Sequence, residues 1–126
     1  MTGPEARFDA LIHVQPRLRI ASLLAPADWV EFGFLRDRTE LSDSALSKQL
    51  GALERAAYLQ FRKGSQSGRR KTWVRLTDQG RGAFAGHVAA LESLIVEARA
   101  ATDPQAGQAS SRRAGAMSAS GGRAES

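Results

Sequence analysis

Apolar positions recur at helical spacing through the first part of the chain, change to strict alternation, then return to helical spacing. Phe8, Leu11 and Ile12 share one face of a first helix over ARFDALIH. Pro16 suits the first turn of a second helix, PRLRIASLLA, whose Leu18, Ile20, Leu23 and Leu24 point mostly inward. WVEFGFLRDR predicts a short third helix, and TEL separates it from SDSALSKQLGALERAA, where Ser42 is a good N-cap and Leu46, Leu50 and Leu53 make an apolar stripe. Period two follows. Leu59 and Phe61 alternate with Tyr58, Gln60 and Arg62, and Thr72, Val74 and Leu76 with Trp73 and Arg75, which predicts two antiparallel strands joined by a GSQSGRR loop. Thr77 then caps a long last helix that carries Phe84, Val88, Leu91 and Ile95 on one stripe.

The pattern predicts a mainly α chain with a small β-hairpin, an α+β fold, over residues 1–101. Residues 102–126 are rich in Ala, Gly and Ser with one Met and no aromatic, too little apolar surface to offset chain entropy, so a disordered tail is expected there. The tight join between the third and fourth helices is the helix-turn-helix arrangement, in which the second helix projects toward a groove. On the face of that helix left free by the leucines stand Ser44, Ser47, Lys48 and Gly51, short or polar groups able to lie close to base edges in a major groove about 12 Å wide.

Charge sharpens this picture because it is localised. The net charge is +5 over 126 residues, but residues 42–75 alone carry eight bases against Asp43 and Glu54, while the flanking segments stay near neutral. Arg69, Arg70 and Lys71 fall consecutively at the hairpin tip, beside Arg62 and Lys63 on one strand and after Arg55 at the helix end. Such clustering points to a face for a polyanion, with phosphate contact favoured over the simpler use of charge to keep a sheet edge soluble.

The ordered set RLRIASLL, LSDSALSKQLGALERAAYL, the basic hairpin and TWVRLTDQGRGAF, with its L-T-x-x-G pattern at Leu76, Thr77 and Gly80, resembles the short stand-alone winged helix-turn-helix transcriptional regulators related to the MarR and ArsR types. The resemblance covers about residues 7–98 and implies a recognition helix near 42–56 in the major groove and a basic wing near 62–72 on the backbone or minor groove. It implies DNA contact from Ser42, Ser44, Ser47, Lys48, Arg55, Arg62, Lys63, Arg69, Arg70 and Lys71. It also implies a homodimer on an inverted-repeat operator, with Phe8, Leu11, Ile12, Val88, Leu91 and Ile95 at the interface. One departure stands at Ala57, where the pattern has Gly. A left-handed helix cap kept there costs Ala about 1 kcal/mol.

Other chemistry finds little support. There are no cysteines, no glycine-rich phosphate loop after a strand, and no serine or carboxylate pair in a catalytic setting, so an enzyme is not expected. His13 and His87 lack an adjacent ligand cluster, so packing or solvent exposure is expected of them and no metal or other cofactor is assigned. Trp73 is expected to pack against the helices. No apolar run predicts a membrane span or signal peptide, so a cytoplasmic location is expected. The expected partners are double-stranded DNA and a second copy of the chain. An effector of a class the sequence does not name would have its place between the terminal helices and the body. The competing reading is a winged-helix module that binds another protein, since the fold serves both uses.

Overall fold

A computed structural model describes residues 4–102 of the chain. Its elements run α1 (Ala10–His13), α2 (Gln15–Leu24), β1 (Val30–Glu31), α3 (Phe32–Thr39), α4 (Asp43–Arg55), β2 (Leu59–Gln66), β3 (Arg69–Leu76) and α5 (Asp78–Thr102). The fold is the mainly α arrangement with a small antiparallel sheet that the hydrophobic pattern predicts. Apart from Thr102, which ends α5, the expected tail lies outside the described residues.

Local chemistry sets the boundaries. Asp9 is extended and its carboxylate accepts the Ile12 N–H, so α1 starts only at Ala10 and residues 4–9 run as a non-helical strap, shorter helix than ARFDALIH predicts. The segment expected as a helix from Trp29 also begins later. Val30 and Glu31 are drawn into a third strand that pairs antiparallel with β3, Val30 opposite Val74 and Glu31 opposite Trp73. The sheet order is therefore β1-β3-β2. Helix α3 ends at Glu40 in the left-handed region, φ 60°, and the short turn through Leu41 leads to Ser42, whose hydroxyl accepts the Ala45 N–H at 3.1 Å and starts α4.

The hairpin is longer and tighter than predicted. Strand pairing continues to Gln66 opposite Arg69, leaving only Ser67 and Gly68 to turn, both at positive φ (53° and 76°). A two-residue turn with two positive φ values matches the right-handed twist of the strands it joins, so pairing extends through residues expected to be loop. Arg69, Arg70 and Lys71 accordingly belong to β3 and not to a flexible tip.

The body, through Ala90, packs around Ile12, Ile20, Leu24, Val30, Leu35, Leu46, Leu50, Leu53, Leu59, Val74 and Leu76. Burying a side chain of this size contributes about 1.5–3 kcal/mol each. From Leu91 the chain forms a second unit, whose described part is the last half of α5 and exposes Leu94, Ile95 and Val96.

Candidate nucleic-acid interface

Helix α4 divides its surface cleanly. Leu46, Leu50 and Leu53 are buried, while Ser44, Ser47, Lys48 and Arg55 are exposed on the opposite side, following the three-and-four spacing that puts them on one stripe with Gly51. Ser42 is exposed but is occupied as the N-cap, with the Ser44 hydroxyl 3.4 Å away. Asp43, in the first turn, takes an ion pair from Arg36 at 3.1 Å across the inter-helix turn. On the flank, Gln49 accepts from Arg17 Nε at 2.9 Å, and Arg17 also donates to the Leu11 carbonyl, tying α4 to α2 and α1.

The far end of α4 is fastened to the hairpin. Tyr58 N–H donates to the Leu53 carbonyl (3.0 Å) and Ala57 N–H to that of Glu54 (2.8 Å), the paired bonds of a Schellman cap, with Ala57 at φ 67°. The left-handed cap is thus kept, and by an alanine. Thr77 closes the corner from the other side. Its N–H donates to the Tyr58 carbonyl, its hydroxyl donates to the Ala57 carbonyl at 2.7 Å, and the same oxygen accepts from Gly80 N to cap α5. Any β carbon at Gly80 would collide with the Tyr58 carbonyl, which explains the glycine of the L-T-x-x-G pattern.

Strand alternation sorts the cations of the hairpin between two faces. Phe61, Lys63, Ser65, Arg70, Thr72 and Val74 lie on the side of the core, whereas Gln60, Arg62, Gly64, Gln66, Arg69, Lys71, Trp73 and Arg75 lie on the outer side. The base of the outer face is an interlocked layer. Arg62 stacks 4.6 Å from the Trp29 ring and 5.5 Å from that of Trp73, and Arg75 lies 4.6 Å from Trp29 while donating to Gln60 and to Asp28. Trp73 covers Gly64 across the strand pair, so it packs on the sheet and not on the helices as expected. Lys71 pairs with Glu31 at 2.7 Å.

The consequence is a division of the eight bases between Lys48 and Arg75. Arg62, Lys71 and Arg75 are engaged within the fold, while Lys48, Arg55, Lys63, Arg69 and Arg70 are exposed and form no ion pair among the described residues. Sequence reasoning missed Asp28, Trp29 and Glu31 as partners because the run from Trp29 reads as helix, which hides the strand that brings this segment beside the hairpin.

Residues 16–95 match a family model described as a winged helix DNA-binding domain. The chain belongs to the winged helix DNA-binding domain family. This winged helix domain is 32% identical over 72 residues to an uncharacterized protein of Methanocaldococcus jannaschii, covering 57% of this chain and 78% of that one. Its fold resembles a transcriptional regulator homologue from Pyrococcus horikoshii, with 23% identity and TM-score 0.64 over 69% of this chain and 86% of the other. It also resembles a MarR-family transcriptional regulator from Silicibacter pomeroyi, with 22% identity and TM-score 0.55 over 93% and 78%. A third similar structure is HlyU from Vibrio cholerae, 28% identical with TM-score 0.51 over 59% and 76%.

The residues expected at a subunit interface separate in this winged helix domain. Ile12 is fully buried in the core and Leu11 packs half-buried against it, so the expectation that Ile12 meets a partner is corrected: the body itself consumes that face of α1. Phe8 is exposed and Val88 half-buried. In the second unit Leu91 is half-buried and Ile95 exposed, together with Leu94 and Val96, which the single-stripe reading passed over. His13 and His87, expected to pack or face solvent, meet at 3.1 Å beside the strap, His87 buried and His13 exposed. A cleft of about 640 Å³ opens nearby, its polar lining including Arg7, Asp9 and Tyr58. Among the described residues no group of three or more His, Asp or Glu stands together to hold a metal ion, and no helix is long and apolar enough to cross a membrane.

Proposed function

We propose that the protein is a sequence-specific transcriptional regulator that binds double-stranded DNA as a homodimer. The observation that carries this reading is the presence of two exposed cationic sets on elements joined at one fastened corner: Lys48 and Arg55 with the serines of α4, and Lys63, Arg69 and Arg70 along the hairpin. Helix α4 reads base edges through Ser44, Ser47 and Lys48, where each good contact is worth about 1–3 kcal/mol of discrimination. The wing cations meet phosphates, which position the domain and carry no sequence information. Arg62 and Lys71 serve the wing indirectly, by stiffening its base. The fold shared with proteins described as transcriptional regulators supports regulation as the use of that binding.

The dimer reading is supported by Leu94, Ile95 and Val96, three neighbouring apolar residues left exposed on the last half of α5. Two copies related by a twofold axis would present their α4 helices to half-sites about one helical turn, roughly 34 Å, apart. Binding to random duplex DNA at low and moderate salt tests the reading: a DNA binder gives a complex that weakens steeply with salt, whereas a protein-binding module gives none.

A further inference from the structure

We propose that His13 and His87 form an acid-sensitive latch that holds the N-terminal strap on α5 and, through Asp9 and Tyr58, steadies the C-terminal end of α4. The hydrogen-bond bookkeeping of the two rings carries the argument. His87 is fully buried, and its Nδ1 lies 2.9 Å from the backbone N–H of Asp9, which makes Nδ1 an acceptor. A neutral ring then bears its proton on Nε2, and Nε2 lies 3.1 Å from His13 Nδ1, so Nε2–H donates to it. Both bonds exist only with both rings neutral.

One added proton breaks the set. A cationic His87 carries N–H on Nδ1 and expels the Asp9 N–H. A cationic His13 carries N–H on Nδ1, which either opposes the His87 Nε2–H or forces His87 into the other tautomer, again expelling Asp9. His13 is exposed, so solvent protons reach the pair directly. The groups facing it are Asp9 on the strap, His13 on α1, and Tyr58 and Arg7 next to Asp9. Burial and His13 hold His87 below the ordinary histidine range, with Asp9 opposing them. A depressed histidine gives stability that is complete above the unfolded value of about 6.5 and is lost as pH falls through the folded one.

What the latch holds is specific. Arg7 N–H donates to the Gly86 carbonyl at 2.9 Å, the Phe8 ring meets His87 edge-on, and a β carbon at Gly86 would press on the Glu5 carbonyl. Asp9 then links the strap to α4, because its Oδ2 accepts from the Tyr58 hydroxyl at 2.5 Å, and Tyr58 is the residue that closes the α4 cap. The bond to Asp9, aided by burial, pushes the Tyr58 hydroxyl up to about 12, so it remains a donor throughout the histidine range.

The test follows backbone amides of the free protein by NMR from pH 8 to 5. The expected result is that the Arg7 and Asp9 amides shift across this range, and that their protection from hydrogen exchange falls by up to about tenfold per pH unit between about 6.5 and the depressed folded value of His87 for one linked proton. In His13→Gln, whose amide oxygen accepts from His87 without titrating, protection should persist to lower pH. In Tyr58→Phe the strap should still titrate while the Leu53–Tyr58 amides no longer follow. Strap amides whose shifts and protection stay fixed from pH 8 to 5, or a His13→Gln profile identical to wild type, would overturn the latch. The consequence for DNA rests on the proposed function: duplex affinity should fall several-fold between pH 7.5 and 5.5 despite added positive charge, and less in His13→Gln. Affinity rising with acidity in both proteins overturns the coupling. Binding to no duplex at any pH sinks the DNA reading, while the amide titration still decides the latch.

Discussion

The Lys71 ammonium lies 2.7 Å from the Glu31 carboxylate, and this ion pair separates Lys71 from the two arginines that precede it. Three consecutive cations in the sequence are therefore not three equal phosphate contacts. Arg69 and Arg70, exposed and on opposite faces of the strand pair, remain available.

Replacing both Arg69 and Arg70 with Ala should weaken binding to specific and random duplexes alike and reduce the slope of log affinity against log salt by about two, near one per lost contact. Lys71→Ala should change that slope by less than half as much. Fluorescence anisotropy across a salt series distinguishes them, and equal effects from Lys71 and Arg69 would show that the Glu31 pair opens on DNA.

For α4 the expectation is different in kind. Changing Ser47 and Lys48 to Ala should cost about 1–3 kcal/mol per lost base contact on the preferred sequence and much less on random DNA. Competition binding between the two duplexes reads the difference directly. A uniform loss on both would reassign these residues to the backbone.

The fold was largely legible because most elements carry their own signals. The Ser42 cap, the leucine stripe of α4 and the Leu59/Phe61 and Val74/Leu76 alternation all appear in the structure as the pattern predicts. The errors fell where tertiary pairing overrides local pattern. Val30 and Glu31 sit in a helix-like run but are captured by β3, and without β1 the partner of Lys71 could not be seen. Likewise Ile12 fits an exposed stripe by spacing, yet the short α1 turns it wholly into the body. The His13–His87 contact joins residues 74 positions apart, a distance over which periodicity carries no information.

The corner between α4 and the wing gives a stability prediction with a definite sign. Ala57 holds φ 67°, so Ala57→Gly removes about 1–2 kcal/mol of left-handed strain against about 0.4–1 kcal/mol of added chain entropy, a net gain near 0.5–1 kcal/mol. Gly80→Ala should destabilise strongly, since its methyl meets the backbone of Tyr58. Thermal unfolding of both variants checks the pair. A Gly80→Ala protein as stable as wild type would mean that this corner yields easily.

The proposed subunit pairing rests on the exposed apolar residues of the last half of α5. Charged replacements at Leu94 and Ile95, 52% and 47% exposed, should leave the fold intact, give monomers in light scattering and weaken operator binding far more than non-specific binding. A wild-type chain that is monomeric at micromolar concentration would count against the dimer outright.

The central claim, that this chain reads DNA through α4 with the wing on the phosphates, is tested most directly by selecting genomic fragments bound by the full chain at moderate salt. The account predicts recovered fragments that share an inverted repeat with half-sites about one helical turn apart and that bind more tightly than random duplex. Recovery of no common sequence, together with no salt-dependent complex on any duplex even at low salt, would contradict it.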